Sequence, residues 1–312
     1  KHKVLTEREV YLKKWFPENT FNDIESLFNA IKLKGKNQED IFYCIGSNLL
    51  RDYSLQEPVD LRIRKRKSPF PKTSFSKKFK SSLELFCNSL HSSQNIIGKI
   101  IHDNRAYEFD TRYDLSKLKK IKSISKFDCV ITSPPYATAL PYIDTQRLSL
   151  VWLDLIKPSK INSSESLLIG SRESSATTKI VLSDNMIKNT NSLPNKIWKF
   201  CLELNNAIGP SDGFRRMAVP YLLYRYFSDM GKSFKNISSI VEPNSPFAMI
   251  IGNNQTTLGG KLFNIDTSSL LISVAKSNGW KLDRKIPLQT YQRYGLHHQN
   301  AVKVENLIIF RQ

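Results

Sequence analysis

The stretch Phe127-Asp-Cys-Val-Ile-Thr132 runs straight into Ser133-Pro134-Pro135-Tyr136. Consecutive prolines cannot extend a sheet ladder or sit inside a helix, because each lacks an N–H and fixes its own φ. A strand over 127–132 must therefore leave its sheet as one rigid, extended stub. Pro135 also biases Pro134 away from the helical region, so the stub presents backbone carbonyls that no ladder hydrogen bond uses. Any fold adopted by this chain has to place those acceptors at a strand end.

The rest of the chain supplies an α/β context for that strand. Apolar residues recur at helical spacing in the N-terminal part, at Ile24, Leu27, Phe28 and Ile31 and again at Ile41, Ile45 and Leu49, with Asn22 or Asp23 as a cap. A helix is expected around SSLELFCNSLHSS. A strand ending in an Asp-containing turn is expected at IIGKIIHDNRAYEF, and after the stub another helix at DTQRLSLVWLDLI. Residues 159–195 are Ser/Asn-rich and read as a surface excursion. A long helical tract, a strand at PFAMIIGNN, an amphipathic helix closed by Gly279 and a last strand at AVKVENLIIFR complete the pattern. Alternating strands and helices of this kind predict an α/β sheet with a late antiparallel edge hairpin. The expected organisation is a helical segment over 1–57, a basic segment over 58–94 and a core over 95–312.

Charge narrows the partners. Lys and Arg number 47 against 28 Asp and Glu, giving a formal charge of +19 over 312 residues, so a polyanion is the expected partner. Nucleic acid fits better than membrane, since there is no apolar run of spanning length and no basic amphipathic helix at an end. Cys44, Cys87, Cys129 and Cys201 show no metal-ligand spacing and read as reduced, mostly buried residues of a cytoplasmic protein. The positive charge is densest in VDLRIRKRKSPFPKTSFSKKFK, which carries Arg62, Arg64, Lys65, Arg66, Lys67, Lys72, Lys77, Lys78 and Lys80 among prolines and phenylalanines. Such a stretch is either a solvated loop or a surface that meets phosphates and bases.

Taken together, FDCVITSPPY, HDNRAYEF, LLIGSRE, NSPFAMIIGNN and ENLIIF resemble segments of the amino-group DNA methyltransferases, the cytosine-N4 and adenine-N6 enzymes. The TSPPY form looks most like the cytosine-N4 members. The resemblance covers roughly residues 95–312 and implies a Rossmann-like methyltransferase sheet, S-adenosyl-L-methionine as cofactor and double-stranded DNA with a flipped base as substrate, within a restriction-modification or related system. It further implies that Ser133, Pro134, Pro135 and Tyr136 form the catalytic loop and that Asp103 and Thr132 face the cofactor; the basic segment, by its charge, and Tyr142 are the candidates for contact with DNA. Two departures stand out. The F-x-G-x-G turn that lets the family's backbone approach its cofactor is missing, so it is expected on an upstream segment or a separate chain. His102 stands where the family has glycine before the Asp.

The implied chemistry follows from the acceptors. An exocyclic amine is a poor nucleophile because its lone pair is delocalised into the ring. If the Ser133 hydroxyl and the Pro134 carbonyl each accept one N–H, that lone pair is freed to meet a methyl sulfonium. Tyr136 would stack on the extruded base, and no metal is needed.

Other polar groups read less sharply. Tyr142 and Asp144 suit either the flipped nucleotide or packing at a helix start. Arg215 and Arg216 suit phosphate or solvent, and His297 and His298 lack an acidic or Cys companion for a metal and suit a loop contact to nucleic acid. Two alternatives stay open: an RNA methyltransferase of the guanine-N2 type, against which Ser133 argues, and a non-catalytic nucleic-acid-binding or partner subunit with this fold.

Overall fold

A computed structural model describes residues 4–60, 63–98, 106–115, 126–137, 142–172, 176–289 and 304–312. Expectations for Arg62, His102, Asp103, His297 and His298 lie outside these residues. The chain divides into two compact units, Lys1–Tyr107 with Pro141–Glu165, and Glu108–Leu140 with Ser166–Gln312.

The first unit is helical. Its elements are α1 (Glu7–Lys13), α2 (Glu18–Lys34), α3 (Glu39–Leu49), α4 (Phe75–Ile97) and α5 (Tyr142–Trp152), and the boundary between the units runs through α6 (Ile161–Leu167). A capping box starts α1, with Thr6 accepting from the Glu9 N–H and the Glu9 carboxylate accepting from Thr6. The second helix begins earlier than its apolar spacing suggests, at Glu18 after Pro17, so Asn22 and Asp23 lie inside it. Asp23 instead accepts from the backbone N–H and hydroxyl of Ser76, in the first turn of α4. Trp152 is the hub, with Phe16, Phe21 and Phe28 edge-on or tilted against its ring and the Arg8 guanidinium over it.

The second unit is mixed α/β. Its main sheet has the order β1 (Val130–Thr132), β2 (Phe247–Gly252), β6 (Val304–Arg311), β5 (Lys281–Gln289). Strand β1 is parallel to β2, whereas β6 runs antiparallel to both β2 and β5, the late antiparallel edge expected from sequence. The regular part of β1 is three residues long, and Phe127 adds an isolated parallel bridge to Val241. A separate hairpin, β3 (Asn254–Leu258) and β4 (Lys261–Ile265), turns through Gly259 and Gly260, both at positive φ. A side chain at Gly259 would stand 2.4 Å from the Ala207 carbonyl oxygen, so only glycine fits.

One face of the main sheet carries the core. Phe247, Met249 and Ile251 of β2 and Ile308 and Phe310 of β6 are buried under α8 (Asn195–Asn206), α10 (Val219–Ser238) and α11 (Thr267–Ser277). Trp280 closes this core, edge-on to Phe247, with its indole N–H donating to the Phe234 carbonyl.

Three sequence expectations need correction. Residues 159–195 contain α6 and α7 (Ala176–Lys188), and Met186 of α7 is fully buried where α7 packs on α8 and α10. Lys77, Lys78 and Lys80 sit in the first turns of a 23-residue helix capped by Ser74. Cys44, Cys87 and Cys129 are exposed, on the outer sides of α3 and α4 and just before β1; only Cys201 is buried, where desolvation pushes its thiol up to about 12. Among the described residues no helix is long and apolar enough to cross a membrane, and no acidic, His or Cys cluster is arranged for a metal.

Candidate functional site

Parallel β1 and β2 end side by side, and their continuations form the site. Thr132 pairs with Met249, and the chain leaves β1 as the Ser133-Pro134-Pro135-Tyr136 stub and β2 through Gly252, Asn253 and Asn254. Because β6 runs the other way, it begins at this same end, with Glu305 paired to Gly252. Ligand crevices of open α/β sheets lie outside the carboxyl ends of the strands, which is where these three segments meet.

The stub is held by its flanks and open at its tip. Ser133 is exposed, Pro134 buried, and Pro135 and Tyr136 half-buried. The Tyr136 hydroxyl donates to the Glu305 carboxylate, and its ring packs on the core. One residue on, the Ala137 carbonyl accepts from Asn254 Nδ2 at 2.8 Å. Asn253 Oδ1 accepts from the N–H and hydroxyl of Ser268, whose oxygen in turn accepts from Asn306 Nδ2. Among the described residues no backbone N–H donates to the Ser133 or Pro134 carbonyls. The site thus pairs a fixed aromatic ring with an exposed hydroxyl and carbonyls outside any ladder.

Gly170 completes the back of the stub. It sits at φ +78°, and a Cβ there would lie 2.8 Å from the Tyr136 carbonyl oxygen and 3.5 Å from Pro135 Cβ. Two arginines anchor its segment. Arg112 donates to the Leu167 carbonyl at 2.7 Å while engaging Asp110 through two nitrogens and buried Asp229 at 3.2 Å. Arg225 of α10 donates to the Ser171 carbonyl. The Arg112 guanidinium holds the Asp110 carboxyl below the usual range, and burial lowers the pKa of Arg225.

The basic segment and Tyr142 belong to the first unit. Glu57 accepts from the Lys67 and Ser68 N–H groups, which hold its carboxyl low, and Arg66 donates to the carbonyls of Asp52, Ser54, Ser68 and Pro69 while covering the Phe70 ring. Arg66 is therefore the brace of this loop, and Arg64 pairs with buried Asp60. Lys65, Lys67, Lys77 and Lys78 are exposed. No acidic residue lies in the first turn of α4, so its lysines stand at the positive end of the helix, a placement that stability does not favour but an anionic partner does. Tyr142 is the half-buried first residue of α5, and its carbonyl accepts from Thr145. Arg216 lies near Asp212, and Arg215 covers the Phe214 ring.

Sequence reasoning missed Glu305, Asn253, Asn254, Arg112 and Arg225. The tandem asparagine after a buried strand was one local signal, since amides at a strand end commonly bond nearby backbone. An arginine between two tyrosines of α10 was another.

No protein-family model matches this chain, and no curated protein does. Two solved structures of a candidate DNA modification methylase from Thermus thermophilus overlap part of it. The selenomethionine form is 9% identical over 28% of this chain and 37% of that chain, with a TM-score of 0.24. The form complexed with S-adenosyl-L-methionine is 8% identical over 30% of this chain and 40% of that chain, with a TM-score of 0.26. This chain spans less than half the length of the structures it matches, and an overlap of this size carries neither fold nor activity across. The geometry defines a class, an open mixed α/β sheet with an acceptor-bearing loop at the carboxyl end of a parallel strand.

Proposed function

We propose that this chain is the base-binding part of an S-adenosyl-L-methionine-dependent DNA amino-methyltransferase, with cytosine N4 favoured over adenine N6, in a restriction-modification or related system. The observation that carries the reading is the exposed Ser133 beside a buried Pro134, on a stub fixed by Tyr136–Glu305 and Ala137–Asn254 at the carboxyl ends of β1 and β2.

In this reading the Ser133 hydroxyl and Pro134 carbonyl accept the two N–H groups of the exocyclic amine. The nitrogen lone pair turns out of the ring plane, and the fixed acceptors stabilise the positive charge that develops there. Tyr136 supports the face of the flipped base. Lys65, Lys67, Lys77 and Lys78, on a loop and helix start braced by Glu57, Arg66 and Ser74, meet phosphates.

The residues described here fit the base side and not the cofactor side. Thr132 ends β1 beside the stub, but its strand neighbour on that side is missing among the described residues, and no two of the 12 glycines are spaced Gly-x-Gly. The methyl donor's cradle then lies outside the described residues.

The test is tritiated methyl transfer from S-adenosyl-L-methionine to mixed-sequence duplex DNA, with this chain alone and with the polypeptide encoded directly upstream of it. Label recovered as N4-methylcytosine only with both polypeptides is the expected result. DNA binding without label in either condition would overturn the reading.

A further inference from the structure

The loop after α8 holds an exposed ring on a rigid support. Buried Asp212 accepts from the Gly209 and Gly259 N–H groups, so the loop is tied to the β3–β4 turn. A Cβ at Gly209 would stand 2.9 Å from the Gly259 Cα, so the two backbones touch. The chain then makes one helical turn, α9 (Phe214–Met217), which packs alongside β3. The Arg216 and Met217 N–H groups close that turn onto the Gly213 carbonyl at 2.8 and 3.1 Å, and Ala218 is buried where α10 begins. Both ends of α9 are therefore fixed.

The turn displays apolar and cationic groups together. Phe214 is 72% exposed and Met217 47%, and their spacing of three places them on one side. The Arg215 guanidinium lies over the Phe214 ring at 5.6 Å, and Arg216 stands 3.7 Å from Asp212 with more than half of its side chain in solvent. From 213 to 228 the sequence holds three arginines and no acidic residue. A ring beside guanidiniums matches what a nucleic acid offers, the π-face of a base between phosphates. The formal charge of +19 favours that partner over a second copy of this chain, which would carry the same charge. Strand β3 also relates α9 to the stub. It begins at Asn254, which holds the Ala137 carbonyl, and its five residues span about 13 Å, the length of about four nucleotides.

We propose that α9 is a nucleic-acid contact of the second unit: the Phe214 ring enters an opened base step of duplex DNA and stacks on the base there, while Arg215 and Arg216 take the phosphates beside it. A ring binds a base through its face, and an intact duplex has no free face between its pairs, so the contact needs a step that is already open. That the open step is the one left by a flipped target base rests on the methyltransferase reading. That α9 binds an opened duplex rests on the exposed ring, its guanidiniums and the Asp212 brace. Stacking is indifferent to base identity, so α9 adds affinity and not sequence recognition.

The experiment is a fluorescence-anisotropy titration of the full chain, from low to moderate salt, against two duplexes of one sequence, one intact and one with a single abasic position at its centre. The native chain is expected to bind the abasic duplex about tenfold tighter, the scale of one base–aromatic stack. Phe214→Ala should abolish that preference while leaving intact-duplex affinity and the melting profile unchanged, and Phe214→Trp should keep it. Replacing Arg215 and Arg216 together with Ala should flatten the log–log salt dependence on both duplexes by up to about 1.8 in slope. Equal affinity of the native chain for the two duplexes, a preference that survives Phe214→Ala, or an unchanged slope in the arginine variant would each overturn the proposal. So would a Phe214→Ala loss on both duplexes with a lowered melting profile, which would make the ring structural. The expected preference in a reconstituted complex that transfers no methyl group would keep this contact and remove the methyltransferase reading; methyl transfer without the preference would do the reverse.

Discussion

The phenol of Tyr136 donates to the Glu305 carboxylate, 169 positions further along the chain. That bond joins the stub after β1 to the first residues of antiparallel β6, across the width of β2. It fixes the ring's azimuth as well as its position. Tyr136→Phe and Glu305→Gln are each expected to lower methyl transfer by the reconstituted enzyme about tenfold, the scale of one charge-assisted hydrogen bond. The double variant should be no worse than either single one. Tyr136→Ala should remove transfer while leaving DNA affinity largely intact, and a double-mutant cycle with a binding titration checks both statements.

Gly170 touches the stub's backbone from behind at positive φ. Gly170→Ala is expected to destabilise the protein by about 1–2 kcal/mol from the backbone alone. It should also displace Pro135 and Tyr136, so methyl transfer falls further than stability does. Urea melts alongside transfer rates separate the two effects.

The basic segment divides into a brace and a contact surface. Replacing Lys65, Lys67, Lys77 and Lys78 with Ala should flatten the log–log salt dependence of DNA affinity, by up to about 0.9 in slope for each phosphate no longer neutralised, at unchanged stability. Arg66→Ala should instead cost about 2 kcal/mol of stability, because four carbonyls and the Phe70 ring lose their partner. Binding titrations from low to moderate salt, paired with melts, distinguish these outcomes.

Asp212 ties the β3–β4 turn to the loop after α8. Its carboxylate accepts from the Gly209 N–H at 2.9 Å and the Gly259 N–H at 2.7 Å, and these bonds hold its pKa below the usual aspartate range. A depressed carboxylate contributes stability that is full above its unfolded pKa, near pH 4, and is lost as pH falls through the lower folded value. The native protein should therefore lose more stability than Asp212→Asn between about pH 4 and pH 2, and the two should have parallel pH profiles above about pH 5. Denaturant melts across that range test the sign.

Much of the fold was written locally. Two prolines after an apolar run end a strand whatever surrounds them, so the stub at 133–136 was readable from four residues. Helical spacing located α2, α3, α8, α10 and α11, and the expected last strand is β6, whose antiparallel partner β5 forms the sheet edge. Position inside an element was less legible. Apolar spacing is blind to a helix's first turn, so α2 starts at Glu18 and Asp23 caps nothing of its own. Composition left a solvated loop open at 77–80 and suggested a surface excursion at 159–195, where packing of Phe75 and Phe79, and of Met186, makes helix.

Sequence by itself determined the chemistry on offer: an exposed-acceptor stub, a polyanion-seeking charge and no Gly-x-Gly turn. Only tertiary structure decided which groups hold that chemistry in place. Glu305, Asn254, Gly170 and Arg225 are far from Tyr136 along the chain, and hydrogen bonds between such residues follow from strand order and register, which no local pattern encodes. The same holds for the edges of the sheet. Phe127 to Thr132 read as an apolar strand, and only the pairing among the described residues showed Ile131 facing solvent.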